Sequence, residues 1–210
     1  HIFLIAGHGA GDSGAVGNGY TEAERVRMLA KKIAELGGGN VTLADINRNW
    51  YADKGISSLN ISKDWQIVEL HMDRAGATAR GGHIIIKEGP AADGYDNALA
   101  SFISTIFPGR AQSIVPRADL ANANRAYRKG YGYRLVECGF ITSSADIKIF
   151  NEQLDDLAKG ILSAFGIHTE PSYGLGEPVF KKNKETLDIG FNFSLPTKEG
   201  RFKWLLYDLQ

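Results

Sequence analysis

Two histidines and two glutamates have the donor types and the settings of a hydrolytic metal site. His8 stands between Gly7 and Gly9 at the exit of an apolar run, and Glu22 opens an amphipathic stretch. His71 ends the run Gln66-Ile67-Val68-Glu69-Leu70-His71, and Glu137 interrupts Leu135-Val136-Glu137-Cys138. Zinc takes imidazole nitrogen and carboxylate oxygen, and a catalytic site uses three protein ligands with one position left open. Cys138 is the only cysteine, so an internal disulfide and a multi-cysteine metal site are both excluded. Each residue also has a plainer reading. His8 can be a loop histidine without a role, and His71 a surface-facing one. Glu22 can be a solvated acid favoured by the positive end of a helix. Glu24 competes with it as a ligand, but Thr21 and Glu24 have capping-box spacing, which gives Glu24 a structural task and leaves Glu22 free. A carboxylate such as Glu137 inside an apolar strand is costly unless partnered. A metal-activated water is one partner; Arg80 or Arg134 is the other kind.

Periodicity supplies the elements that must hold these groups. Ile2 to Ala6 reads as a buried strand, followed by a glycine-rich loop from Gly7 to Gly19. Val26, Leu29, Ala30 and Ile33 recur at helical spacing from Thr21, and Gly37-Gly38-Gly39 ends that helix. Further strands are expected at Val41–Ile46, Asp64–His71, His83–Lys87 and Tyr133–Cys138, with a helix from Tyr95 to Phe107. Ser143 and Ser144 cap a short helix, and a longer one starts at Asn151, with Gly166 closing it. Alternating strands and helices imply an α/β fold with a mostly parallel sheet flanked by helices. Ligands then sit beyond the carboxyl ends of the strands, where His8, His71 and Glu137 all lie. Along the third strand Glu69 and His71 share one face, and Glu69 reads as a partner behind the ligands or a solvated acid rather than a ligand. Asp64, Asp73 and Asp93 are the acids considered as partners that orient a ligand histidine.

Bulk properties remove other classes. Lysine plus arginine and aspartate plus glutamate number 24 each, so no global field draws in nucleic acid or an anionic membrane. The apolar runs are too short to insert in a bilayer, and no signal segment is seen although the chain starts at His1. Gly9-Ala10-Gly11-Asp12-Ser13-Gly14 spells a dinucleotide fingerprint, yet the helix begins near Thr21, too late to cradle a pyrophosphate. Ser13 lacks a nucleophile-elbow pattern, and Cys138 reads as an inert core thiol.

The ordered set Ile5-Ala6-Gly7-His8-Gly9, Asp12-Ser13-Gly14-Ala15, Glu22, Glu69-Leu70-His71-Met72-Asp73, Ala79-Arg80-Gly81-Gly82 and Leu135-Val136-Glu137-Cys138-Gly139-Phe140-Ile141 with Asp146 resembles the zinc-dependent N-acetylmuramoyl-L-alanine amidases of phage and bacterial lysins. The resemblance spans residues 1–167 as a catalytic domain. It implies a fold related to zinc carboxypeptidase-like hydrolases, Zn2+ on His8, Glu22 and His71, and Glu137 as the catalytic carboxylate. It further implies bacterial peptidoglycan as partner and action at the cell wall. Met72-Asp73-Arg74-Ala75 and Gly82-His83 depart from the usual pattern. Arg80 is a substrate-binding candidate with a structural ion pair as its rival, and His83 reads as a strand-entry surface histidine. Rival functions are a zinc peptidase cutting the stem peptide and a non-catalytic wall-binding protein. Residues 168–210 read as a linker and small β extension, with β-like runs at Thr186–Leu195 and Arg201–Leu209. Such a tail suits a homodimerisation arm or the start of a wall-binding module.

Overall fold

The computed structural model describes residues 1–76 and 78–169, and beyond them the backbone of two short strands. Strands β1 (Ile2–Ala6), β2 (Val16–Gly17) and β3 (Tyr20–Thr21) precede helix α1 (Glu22–Gly37), and β4 (Val41–Leu43) and α2 (Gly55–Ser58) follow. Next come β5 (Gln66–Asp73), β6 (His83–Lys87), α3 (Gly94–Ile106), β7 (Ile114–Arg117) and α4 (Ala121–Arg128). Then β8 (Gly132–Phe140), α5 (Ser144–Glu152) and α6 (Leu154–Ala164) complete the first unit, His1–Thr169. In the second unit β9 (Val179–Lys182) and β10 (Leu187–Gly190) pair antiparallel. β10 falls within the expected run at 186–195; the run at 201–209 and the connector at 170–178 lie outside the described residues.

Six strands form the central sheet in the order β4-β1-β5-β8-β6-β7. β4, β1, β5 and β8 are parallel, whereas β6 runs antiparallel to β8 and β7 follows β6. Strand alternation sends the two sets of side chains to opposite faces. Leu4, Val68, Leu70, Ile84 and Val136 meet the apolar stripes of α1, α3, α5 and α6. Phe3, Ile5, Ile67, Ile85 and Leu135 meet Trp50, Ile56 of α2, and Ala123 and Ala126 of α4. That second face carries Glu69, His71 and Glu137.

Several boundaries differ from the expectation. β5 runs past His71 to Asp73, and Asn151 lies in the last turn of α5, with a break at Gln153 before α6. The end of the Gly7–Gly19 loop forms a hairpin with Tyr20–Thr21, β2 to β3, turned at Asn18-Gly19 with both residues at positive φ, the primed-turn signature. β7 and α4 have weak sequence signals for physical reasons. β7 is an edge strand containing Pro116, tolerated only at such an edge. α4 buries only Asn122, Ala123 and Ala126, so it lacks a large apolar stripe.

Candidate metal centre

β1 delivers the first histidine. Past Ala6 the chain turns through His8 and Ala10, both left-handed at φ 63 and 47, a conformation that non-glycine residues keep only when surroundings impose it. Arg27 of α1 imposes it. Its Nη2 donates to the His8 carbonyl at 3.0 Å and its Nη1 to those of Gly7 at 3.0 Å and Ala23 at 2.7 Å, while Nε reaches Ile46 at 2.9 Å. Glu22 is the first residue of α1, whose start is fixed by Thr21 accepting from the Glu24 N–H at 3.3 Å. The capping box is only half formed, because the Glu24 carboxylate turns out to Arg25 at 2.8 Å. Glu24 is thereby withdrawn and Glu22 is the buried acid.

His8 Nε2 lies 3.0 Å from Glu22 Oε1 and His71 Nδ1 lies 2.8 Å from the same oxygen. One donor atom from each of His8, Glu22 and His71 falls within 4.8 Å of the others. The outward nitrogens are occupied. His8 Nδ1 meets Asp12 Oδ2 at 2.9 Å, and His71 Nε2 meets Glu69 Oε1 at 3.1 Å. Glu22 Oε2 accepts from the Ala15 N–H at 2.9 Å and Oε1 from that of Met72 at 3.1 Å. With the outer N–H of each imidazole bound to a carboxylate, both inner nitrogens face one point beside a third carboxylate. Two imidazoles and an acid are a catalytic zinc donor set, and the residues fit the ion.

The backbone is cut to this arrangement. A Cβ on Gly7 would stand 2.5 Å from the His71 ring, and one on Gly14 2.6 Å from His8 and 2.7 Å from Glu22. Gly7→Ala should therefore displace His71 and weaken zinc binding about 10- to 100-fold, the range seen when a ligand loses its orienting partner. Chelator competition measures it. Affinity within twofold of the parent would count against this reading of the site.

Burial lowers the pKa of both histidines, but Glu22 with Asp12 outweighs it at His8 and Glu22 with Glu69 and Glu137 at His71, leaving His8 raised and His71 raised well above the ordinary value. Burial raises Glu22, yet its bonds to His71 and His8 hold it far below the carboxylate range. Glu69 is buried and lowered, because its bonds to His71, Tyr133 and Asn122 outweigh the desolvation that raises it.

Glu137 is the register partner of His71 on one side and of His83 on the other, so the three form a row across β5, β8 and β6. Burial raises Glu137 to about 8, and its Oε2 has no hydrogen-bond partner among the described residues. Neither arginine considered for it takes that place. Arg134, only 1% exposed, donates to Asp96, Gln66 and Asp93 on the other face. Arg80 donates to the Pro108 carbonyl at 3.0 Å and stands 4.0 Å from Asp146. His83 is not a surface residue. It is 2% exposed, and burial with Arg110 nearby lowers its pKa to about 4. Cys138 is fully buried and its thiol pushed up, as expected of an inert core group.

Asp64, Asp73 and Asp93 do not take the orienting task. Asp93 caps α3 and pairs with Arg134, Asp73 bonds the Arg74 N–H, and Asp64 is exposed. Asp12 and Glu69 do the orienting instead. The sequence signal for Asp12 is its place four residues after His8 in a glycine-rich loop; Gly9 and Asp12 form a bridge that folds it back. Beside the centre lies a cavity of about 260 Å³, whose lining includes His8, Asp12, Glu69, His71 and Tyr133 together with Asn49, Tyr51, Leu120 and Asn122. Arg80 is not among its lining residues.

A family model described as N-acetylmuramoyl-L-alanine amidase matches residues 2–166. The probable autolysin PH of Staphylococcus aureus is 33% identical over 197 residues, covering 83% of this chain and 39% of that relative, so this chain spans well under half of its length. The catalytic domain of the CD27L endolysin targeting Clostridia difficile superposes with a TM-score of 0.66 at 16% identity, over 81% of this chain and 98% of that one. The N-acetylmuramoyl-L-alanine amidase of Clostridium difficile 630 does so with a TM-score of 0.62 at 23% identity, over 78% and 93%. The solved structures share the mostly parallel, helix-flanked sheet. With the family match covering the whole first unit up to residue 166, this chain belongs to the N-acetylmuramoyl-L-alanine amidase family.

Proposed function

We propose that this chain is a zinc-dependent amidase that hydrolyses the bond between N-acetylmuramic acid and L-alanine in bacterial peptidoglycan, acting at the cell wall. The reading rests on one observation: His8, Glu22 and His71 converge within 4.8 Å while Glu137 flanks His71 in register. Zinc held by those three residues would supply Lewis acidity and a water acidified toward neutral pH. Asp12 and Glu69 keep the two imidazoles in the tautomer and orientation that face the ion. Glu137 takes the proton of the attacking water and hands it to the departing amine of L-alanine. Its base form is favoured by positive charge beside it, so the carboxylate operates in the loaded site. The neighbouring cavity admits the substrate. In this reading Arg80, partly exposed at the edge of the unit, contacts substrate carboxylates only at the periphery. Residues 1–167 form the catalytic unit. The tail from 168 carries none of the named site residues and serves wall attachment or pairing with a second copy. Among the described residues no helix is long and apolar enough to cross a membrane.

The test pairs metal analysis with end-group analysis of digested wall. One zinc per chain and newly freed N-terminal alanine are expected. A different new amino terminus identifies a stem-peptide peptidase, a reducing sugar a glycosidase, and no new end a binding protein; each overturns the proposal.

A further inference from the structure

The two histidines of the centre are tied, by separate chains of hydrogen bonds, to the same exposed residue of the cavity lining. From His8 the first chain runs through Asp12, whose Oδ2 also accepts from Asn49 Nδ2 at 3.1 Å. Asn49 Oδ1 in turn accepts from the N–H of Tyr51 at 3.2 Å and of Ala52 at 2.9 Å. From His71 the second chain runs through Glu69, whose Oε2 accepts from Asn122 Nδ2 at 2.9 Å and from the Tyr133 hydroxyl at 2.7 Å. Asn122 Oδ1 accepts from Arg125 Nη1 at 2.6 Å, and the same Nη1 donates to the Tyr51 carbonyl at 2.9 Å. One chain ends on the N–H of Tyr51 and the other on its C=O.

That residue sits on a firm support. The neighbouring Trp50 is buried edge-on against Phe3 with ring centroids 5.4 Å apart, its indole N–H donates to the Asp45 carbonyl at 3.2 Å, and Arg48 lies over its ring. The Tyr51 ring is 62% exposed on the cavity wall, with Arg125 5.6 Å from its centroid. Asn49 and Arg125 touch neither histidine, and no sequence motif marks them.

We propose that Asn49 and Arg125 are positioning residues of the metal centre, which lock His8 and His71 into one geometry by fastening both orienting acids to the main chain of Tyr51. The inference rests on the metal reading above. If the two chains share an anchor, loosening either frees that anchor, and loosening both adds little. Independent chains would give multiplicative losses.

The experiment measures zinc affinity by chelator competition for the parent, Asn49→Ala, Arg125→Met and the double variant. Visible spectra of the Co2+-loaded chains report ligand geometry, and thermal midpoints are taken in chelator. Asn49→Asp is the safeguard for folding: it keeps the acceptor for the Tyr51 and Ala52 N–H groups but loses the donor to Asp12. Each single change, Asn49→Asp included, should weaken zinc about tenfold, the lower end for outer partners of a metal ligand. The cobalt spectrum should shift while the chelated midpoint holds. The double variant should stay near tenfold. Unchanged affinity, a roughly hundredfold loss in the double variant, or a zinc loss that merely follows a fallen midpoint would each overturn the proposal. Zinc uptake and alanine release by the parent judge the enzyme reading, whereas ratios among variants judge this one.

Discussion

Glu137→Gln lowers the rate of alanine release from purified wall by about 10²- to 10⁴-fold, the usual contribution of a positioned general base, and leaves zinc binding intact. The substitution is nearly isosteric and removes the group's ability to take up and release a proton. Glu137 is no member of the converging donor set, so ligand geometry is untouched. Nor does the change break a bond of Oε2, which has no partner among the described residues. Stability supplies an independent check. Burial raises this carboxyl from its ordinary 4.5 to about 8, so across that window the folded chain holds a proton that the unfolded chain has released. Stability then falls as pH rises from about 4.5 to about 8, and the loss is complete above. Glutamine has no proton to lose, so in chelator the variant should melt higher than the parent at alkaline pH and match it in acid. A rate within tenfold of the parent, or zinc lost along with the rate, would remove Glu137 from the chemistry.

What could be read beforehand followed what is periodic. β1 and α1 announce themselves by a buried run and a 3.6-residue stripe, and those two elements carry His8 and Glu22. The alternation along β5 put Glu69 on the face of His71, and the structure finds it bonded there. The one antiparallel strand of the mostly parallel sheet, β6, also has its clue in the sequence. Residues 74–82 between β5 and β6 are too few for the crossover a parallel strand requires. The chain therefore re-enters the sheet at the edge it left, and His83 arrives in register with Glu137 instead of on the surface. The Asn18-Gly19 turn was equally open to reading. Arg27, Asn49 and Arg125 were not, because each works through backbone carbonyls or side chains far away in sequence, and such partners have no period. α4 was hidden by its alanines, which bury well but leave no apolar stripe to detect.

The second large effect is expected at Glu22. Each oxygen of its carboxylate accepts from a main-chain donor, Oε2 from Ala15 N–H and Oε1 from Met72 N–H, and the two imidazole nitrogens lie beside Oε1. An amide offers one oxygen and one NH₂, so Glu22→Gln sets a donor against a donor in either orientation and removes the negative charge as well. Zinc affinity should fall by more than the 10- to 100-fold that follows loss of an orienting partner, and alanine release should fall with it. The pH dependence must change too. In the parent, burial lowers both imidazoles, but Glu22, helped by Asp12 at His8 and by Glu69 and Glu137 at His71, leaves them above their ordinary value. Zinc must displace those protons, so affinity declines as pH drops through the raised pKa values and recovers above them. Without the carboxylate the imidazoles shed protons more readily. The proton competition moves to lower pH, and the variant should be weaker everywhere yet flatter near neutrality. Chelator competition at several pH values reads both. Affinity within tenfold of the parent, or an unchanged slope, would show that Glu22 is a bystander to the ion.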